Sequence, residues 1–253
     1  MKGLIVLLAI FTHQVGKSRS VIEKAGRVEF NWTTLKIRFF GEADGLKAGR
    51  GYPVLEKEAW SDGIQYIYQK LPEIRRKRRC WQFDLDDVHA KIAAEEVSMS
   101  TYSYMTTYFG SGGMRVHMES SLIKAFHPGK LDFGEMDEDD GSLEGVSYTG
   151  VVFEVAGEVS PCPVFSLYDE TSGDLLFDVT SVSKISFDKG FMARWVRHPD
   201  SKELLRLAGS RPLVIPLVLN DSGKMVLSRK IWDEVLVGNE PLLSHSRVVF
   251  ALR

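Results

Sequence analysis

Residues 84–97, DLDDVHAKIAAEEV, and residues 101–109, TYSYMTTYF, together decide the fold class of this chain. The first stretch begins with aspartates, which the helix dipole stabilises, and is typical of a helix. The second is rich in aromatic residues and threonine, which are common in strands. Because the hydrophobic period changes from helical to two within a few residues, we predict an α+β fold of antiparallel sheets with packed helices.

The stretches on either side extend this pattern into an N-terminal unit at residues 21–134. Residues 110–113, GSGG, form a turn, and the alternation over residues 114–124 predicts the second strand of a long hairpin. Upstream, residues 28–40 predict a strand or hairpin. The helix that follows has Pro53 in its first turn, and Pro72 with the basic run after it is expected to end or redirect the helix. The order is therefore strand, helix, helix and hairpin.

A smaller β-rich unit is predicted at residues 146–253. An acidic segment without apolar periodicity, residues 135–145, separates it from the first unit as a loop or linker. Strands are predicted at residues 146–155, 164–168, 175–179, 213–219 and 247–252. Short helices are predicted within residues 187–207 and 228–237, the latter with Ser228 as its cap.

The N-terminus has the pattern of a secretory signal peptide over residues 1–20. Lys2 precedes the apolar run of residues 3–11, and Ser18 and Ser20 place small residues before a cleavage point after Ser20. The run is shorter than the roughly 20 residues that span a bilayer. A buried N-terminal strand or helix is the alternative. No later segment is predicted to cross a membrane, so we expect a periplasmic protein.

Composition and motifs give no sign of catalysis. Hydrophobic residues are 44% and charged residues 26% of the chain, and the net charge of −2 provides no field that would attract nucleic acid. The six histidines have no metal-ligand spacing, and G-x-S-x-G, H-E-x-x-H and C-x-x-C are absent from the sequence. We therefore expect no enzyme, no metal and no cofactor.

Two groups of residues are candidates for contact with other proteins. The basic run is Arg75, Arg76, Lys77, Arg78 and Arg79. It fits a protein-docking patch, a patch that contacts phosphates or lipid headgroups, or a solvated helix end. Tyr102, Tyr104 and Tyr108 share a parity in the predicted strand and would line one face. That row fits either a protein interface or the core.

The two cysteines, Cys80 and Cys162, are the complete set in this sequence. In an oxidising compartment they can form a disulfide. Two buried free thiols are the alternative.

Several stretches resemble a known family of exported bacterial proteins. They are residues 28–43 (VEFNWTTLKIRFFGEA), the helix from Pro53, and residues 148–152 (YTGVV), 161–164 (PCPV), 168–170 (YDE) and 247–250 (RVVF). Their order resembles the LPP-type surface lipoproteins and the N-terminal domain of flagellar assembly protein T. The chain departs from the lipoproteins in lacking a lipobox cysteine, and from the usual alanine-rich helix by carrying Trp60 and Tyr66.

This resemblance implies a non-enzymatic structural or assembly protein of the periplasm, associated with the bacterial flagellum and motility. Its partners would be other envelope or flagellar proteins, and it allows a homo-oligomer. An envelope binding module or adhesin without a flagellar role is the alternative.

Overall fold

Two β-sheets and their packed helices form the part of the chain that the computed structural model describes, which is residues 19–45, 51–76, 87–126, 146–162, 165–182, 193–245 and 247–253. The strands are β1 (Arg19–Ser20), β2 (Ile22–Ala25), β3 (Val28–Asn31), β4 (Lys36–Ala43), β5 (Tyr102–Tyr108), β6 (Met114–Ser121), β7 (Gly150–Val155), β8 (Leu167–Asp169), β9 (Leu175–Phe177), β10 (Arg194–Arg197), β11 (Pro212–Leu219), β12 (Met225–Leu227) and β13 (Val248–Leu252). The longer helices are α1 (Tyr52–Arg76), α2 (Asp87–Met99) and α3 (Ser201–Ala208). This content confirms the α+β class.

The first sheet is antiparallel throughout, with strand order β2-β3-β4-β6-β5. Helix α1 packs on one of its faces, where Ile37 and Phe39 are buried. The approach is closest at Gly41, because a Cβ there would lie 1.9 Å from the Ala59 carbonyl oxygen and 2.3 Å from the Gly63 nitrogen. A glycine at this position therefore lets the helix backbone sit directly on β4.

Helix α1 continues through Pro72 and ends at Arg76, within the basic run that was expected to end or redirect it. A proline inside a helix removes one backbone hydrogen bond. Here the turn after Pro72 stays helical because Ile74 packs against the hydrophobic core. The apolar stripe itself is as predicted, since Leu55, Ile67 and Leu71 are all buried.

The second sheet is mixed, which corrects the prediction of antiparallel sheets. Its order is β1-β10-β13-β7-β11-β12-β8-β9, and β10, β13, β7 and β11 run parallel to one another. Strands β7 and β13 are buried along both faces. Helix α3 covers one face by packing on Val152, Val249 and Ala251. Near-continuous apolar strands covered on both faces are typical of parallel sheets.

The region predicted to contain one or two short helices also contains the strand β10, which was not predicted. This strand pairs with β1 on one side and β13 on the other. Its Trp195 is fully buried, stacks on Phe250 with ring centroids 4.3 Å apart, and donates from Nε1 to the Cys162 carbonyl at 2.6 Å. Pairing and burial therefore decide the strand. The predicted helix is confirmed further on as α3.

A helical segment precedes β13. It runs through Arg229–Ile231, the π-helical turn Trp232–Leu236, the 3₁₀ turn Val237–Asn239 and Glu240–Ser244. Ser228 caps its start, as predicted, by accepting from the Ile231 amide at 3.4 Å. Two further 3₁₀ turns occupy Lys124–Phe126 and Val179–Ser181.

The two sheets meet at the Trp32-Thr33 dipeptide. The Trp195 amide donates to the Trp32 carbonyl at 3.2 Å, and the Thr33 hydroxyl donates to the Trp195 carbonyl at 2.5 Å. The Val21 amide in turn donates to the Thr33 hydroxyl at 2.9 Å. Buried backbone groups need such partners, so these bonds hold the sheets together. Strand β1 lies just before this junction, and cleavage after Ser20 would remove it.

Within the described residues, no helix combines the length and the apolar character needed to cross a membrane. The acidic segment at residues 135–145 and residues 1–18 lie outside the described residues.

Candidate functional site

Tyr102, Tyr104 and Tyr108 lie in β5, at one edge of the five-stranded sheet. All three are exposed, as are Met105 and Phe109 beside them. The interpretation that places this row in the core is therefore wrong.

A β-bulge also changes the predicted alignment of the three tyrosines. The register between β5 and β6 shifts between Ser103 and Met105, so that Tyr104 is the inserted residue. Tyr104 consequently shares the face of Tyr102. Tyr108 pairs with the buried Met114 and points to the helix side, where its ring meets that of Tyr52 edge-on at 5.2 Å. The tyrosines thus occupy two faces, because a bulge reverses the parity beyond it.

The face of the five-stranded sheet opposite α1 carries a set of charged and aromatic side chains that we call the open face. Strand register places the members side by side, since Arg38 pairs with Glu119, and Glu119 with Tyr102. The open face consists of Lys36, Arg38, Phe40, Glu42, Tyr102, Tyr104, Met105, Arg115, His117 and Glu119.

Glu119 is the centre of the open face. Its side chain is only 5% exposed, yet it receives hydrogen bonds from Lys36 Nζ, from Arg38 Nε at 2.7 Å and from the Tyr102 hydroxyl at 2.5 Å. Burial alone would raise the pKa of this carboxyl, but the three donors outweigh it and lower the pKa to about 2. The hydrogen bond to Glu119 raises the pKa of Lys36 and of Arg38 in return.

A second cluster surrounds Phe40. Arg115 lies over the Phe40 ring at 4.2 Å and donates to Glu42 Oε1 from Nε and Nη2 at 2.9 and 2.5 Å. His117 lies 6.0 Å from the same ring and 6.1 Å from the Tyr104 ring. Burial, and then the charge of Arg115, lower the pKa of His117. A neutral imidazole suits this stacked position.

Tyr104 joins the two clusters. Its ring lies 5.4 Å from the Arg38 guanidinium on one side and close to His117 on the other. Cation–π and ring contacts of this kind hold an exposed tyrosine in one orientation. Tyrosine, methionine and arginine are also the residues enriched in the cores of protein interfaces. The open face therefore offers ordered contact area.

The titratable groups of the open face are engaged with one another. Lys36 and Arg38 share Glu119, and Arg115 pairs with Glu42. Among the described residues, no three histidine, cysteine or acidic side chains come together in a group that could hold a metal. The open face therefore presents exposed aromatic rings beside paired charges.

A cavity of about 490 Å³ lies between α1 and α2. Its described lining contains one carboxylate, Glu95, and is otherwise apolar or uncharged, with Ser61, Ile64, Gln65, Tyr68, Ser98 and Met99. Catalytic sites bring together several polar groups with distinct roles. The described lining of this cavity offers a mainly apolar groove instead.

Most of the basic run lies outside the described residues, so its position relative to the tyrosines is not part of the described structure. Arg75 and Arg76 are the last two residues of α1, while Lys77, Arg78 and Arg79 lie outside the described residues.

Only one of the two cysteines of the proposed disulfide, Cys162, belongs to the described residues. Cys162 is disulfide-bonded, and Cys80 lies outside the described residues. The pairing of these two cysteines stays a prediction.

Sequence reasoning missed most of the open face as a site. The alternation along β4 and β6 placed Lys36, Arg38 and Arg115 on the polar side of their strands, which was a usable signal. The alternation does not give the register between β4 and β6, and a shift of one residue in that register would separate Glu119 from Arg38.

No family model matches this chain, and no curated protein matches it either.

Proposed function

We propose that this chain is a non-enzymatic structural or assembly protein of the bacterial envelope, working in the periplasm and associated with the flagellum. The observation that carries the binding role is the open face, where Tyr102, Tyr104 and Met105 are exposed beside ordered charged residues. A partner would be another envelope or flagellar protein.

The order within the open face supports a protein partner. Association costs less when the contacting side chains are already held in place. Tyr102 is held by its hydrogen bond to Glu119, and Tyr104 by its contacts with Arg38 and His117. Exposed rings that are held in this way can contact a partner with little further loss of side-chain entropy.

The envelope location rests on the sequence. The signal-like residues 1–20 and the resemblance to exported, flagellum-associated proteins are its two supports. The binding role and the location therefore have independent supports, and each can be tested without the other.

The experiment is fractionation of native cells that carry a tagged copy of the chain, combined with swimming assays of a deletion strain. We expect the protein in the periplasmic fraction and with isolated flagella, and we expect reduced motility in its absence. The Tyr104→Ala variant should lose the flagellar association. The matched control is Leu175→Ala, which removes an exposed side chain from β9 in the other sheet.

Two outcomes would decide against the proposal. Normal swimming of the deletion strain, with no protein among the isolated flagella, would remove the flagellar role. Labelling of the protein at the surface of intact cells would favour the adhesin instead.

A further inference from the structure

Within the described residues, strand β5 has a partner strand on only one side of its backbone. It pairs with β6 on one side, and no backbone hydrogen bond joins its other side to the described residues. Unpaired N–H and C=O groups along a strand are a template for another strand. This edge is therefore able to extend the sheet.

The other sheet edges in the described structure carry the usual protection against such pairing. β9 has three residues and β1 has two. Cleavage after Ser20 would make β10 the edge strand instead, and its four residues, RWVR, include two arginines. β2 has four residues and includes Glu23 and Lys24. β5 has seven residues, YSYMTTY, with neither a charge nor a proline. Charged residues, proline and short length are the common ways to protect an edge, and β5 has none of them.

The bulge in β5 protects only part of the strand. It lies between Ser103 and Met105, and the register from Met105 to Tyr108 is regular. Bulges twist an edge away from a partner locally. The regular stretch from Met105 to Tyr108 is left as the accessible template.

We propose that β5 pairs antiparallel with β5 of a second copy of this chain, across a twofold axis near Thr106 that is perpendicular to the sheet. Thr106 then lies opposite its own copy, and Met105 opposite Thr107. Met105 and Thr107 pair with His117 and Arg115 on β6, so both lie on the same side of the sheet as the open face. The pairing therefore continues the open face from one copy to the next.

A second copy suits this edge because the strand is uncharged. A twofold axis places each residue near its equivalent, so a charged edge would face like charges and be destabilised. Threonine pairs across strands are stabilising. The sequence of β5 meets both conditions, which gives self-pairing no electrostatic penalty along the strand.

The exposed area is of the right size for a dimer. Tyr52, Tyr102, Tyr104, Met105, Tyr108 and Phe109 are 68%, 51%, 46%, 48%, 59% and 38% exposed. A large aromatic side chain buries roughly 150–250 Å² when fully covered, so at these exposed fractions the five aromatic side chains offer about 390–650 Å² per copy, and Met105 adds to this area. Stable interfaces bury about 800 Å² per partner. Backbone and flanking atoms would supply the remainder.

This self-association goes beyond the proposed function, because purified protein needs no envelope partner to show it. The experiment is sedimentation velocity over a wide concentration range on the wild type, Met105→Lys and Met105→Glu, with circular dichroism to confirm that each variant is folded. The two Met105 side chains would be diagonal neighbours roughly 7–8 Å apart. The control is Leu175→Lys, which places the same charge on the short edge strand β9.

We expect the wild type to dimerise and each Met105 variant alone to raise the dimer Kd by about tenfold or more. An equimolar mixture of Met105→Lys and Met105→Glu should recover the dimer, since opposite charges then meet across the axis. Leu175→Lys should dimerise like the wild type. A wild type that stays monomeric would overturn the proposal and leave the edge to a partner of different sequence. Equal weakening by Leu175→Lys, or no recovery in the mixture, would also overturn it.

Discussion

The substitution Glu119→Gln tests whether the buried carboxylate stabilises the open face. It keeps the size of the side chain and removes the charge that holds Lys36, Arg38 and Tyr102. The lowering of the Glu119 pKa from 4.5 to about 2 corresponds to an upper limit of about 3 kcal/mol at neutral pH. The Lys36 and Arg38 side chains are 43% and 41% exposed, so water and salt screen the attraction. We therefore expect a loss of about 2 kcal/mol.

The pH dependence of that loss identifies its cause. A carboxyl with a lowered pKa in the folded state stabilises the protein above the pKa of the unfolded chain, and this contribution disappears as the pH falls towards the folded value. The difference in unfolding free energy between wild type and Glu119→Gln should therefore be full at neutral pH. It should shrink between about pH 4.5 and about pH 2.

The assay is urea unfolding of both proteins across this pH range. The control is Glu42→Gln, which removes a carboxylate that is 38% exposed from its pair with Arg115 and should cost under about 1 kcal/mol. A Glu119→Gln loss no larger than that of the control would mean that the buried carboxylate stabilises the fold no more than an exposed ion pair does. A loss that stays constant down to about pH 2.5 would refute an electrostatic origin of the loss.

Three further predictions concern other parts of the molecule. Gly41→Ala should lower the unfolding free energy by about 3 kcal/mol or more in the same urea assay, because its methyl group would meet the α1 backbone. The control Gly110→Ala should change the unfolding free energy by no more than about 0.5 kcal/mol, because no atom lies within 4 Å of the added methyl group. The His117 ring should titrate below 6.5 by NMR, because burial and the charge of Arg115 lower its pKa. Since the pKa is lower in the folded state, the unfolding free energy should fall as the pH drops below 6.5. A titration midpoint at or above 6.5 would contradict the burial of this ring. Peptide mapping without reductant should recover Cys80 and Cys162 in one linked fragment. Reduction of this disulfide should lower the unfolding free energy by about 3 kcal/mol. Two titratable thiols in the native protein would exclude the bond.

Much of the fold follows from hydrophobic patterns within single segments of the sequence. The alternation in residues 114–124 predicts β6, and the four-residue spacing of Leu55, Ala59, Ile67 and Leu71 predicts the buried side of α1. These features depend on the period of one segment. They are therefore visible without knowledge of what packs against it.

The errors occur where distant segments decide the outcome. Residues 194–197, RWVR, form a strand because β1 and β13 lie on either side, and neither is near in sequence. The parallel direction of β7 and β13 likewise depends on the helices that cover them. The bulge at Tyr104 changes the face of every later residue in β5, yet nothing in YSYMTTY marks its position.

The position of β13 in the second sheet has a consequence for when that sheet can fold. β13 lies between β10 and β7 and pairs with both, although it comes after them in the chain. The strand that links β10 to β7 is therefore missing until residues 248–252 have been synthesised, and closing such long-range pairings is slow. A chain that is exported unfolded has to avoid folding before it reaches the membrane. In an exported chain, as proposed above, the late arrival of β13 would delay completion of the second sheet until synthesis is nearly finished.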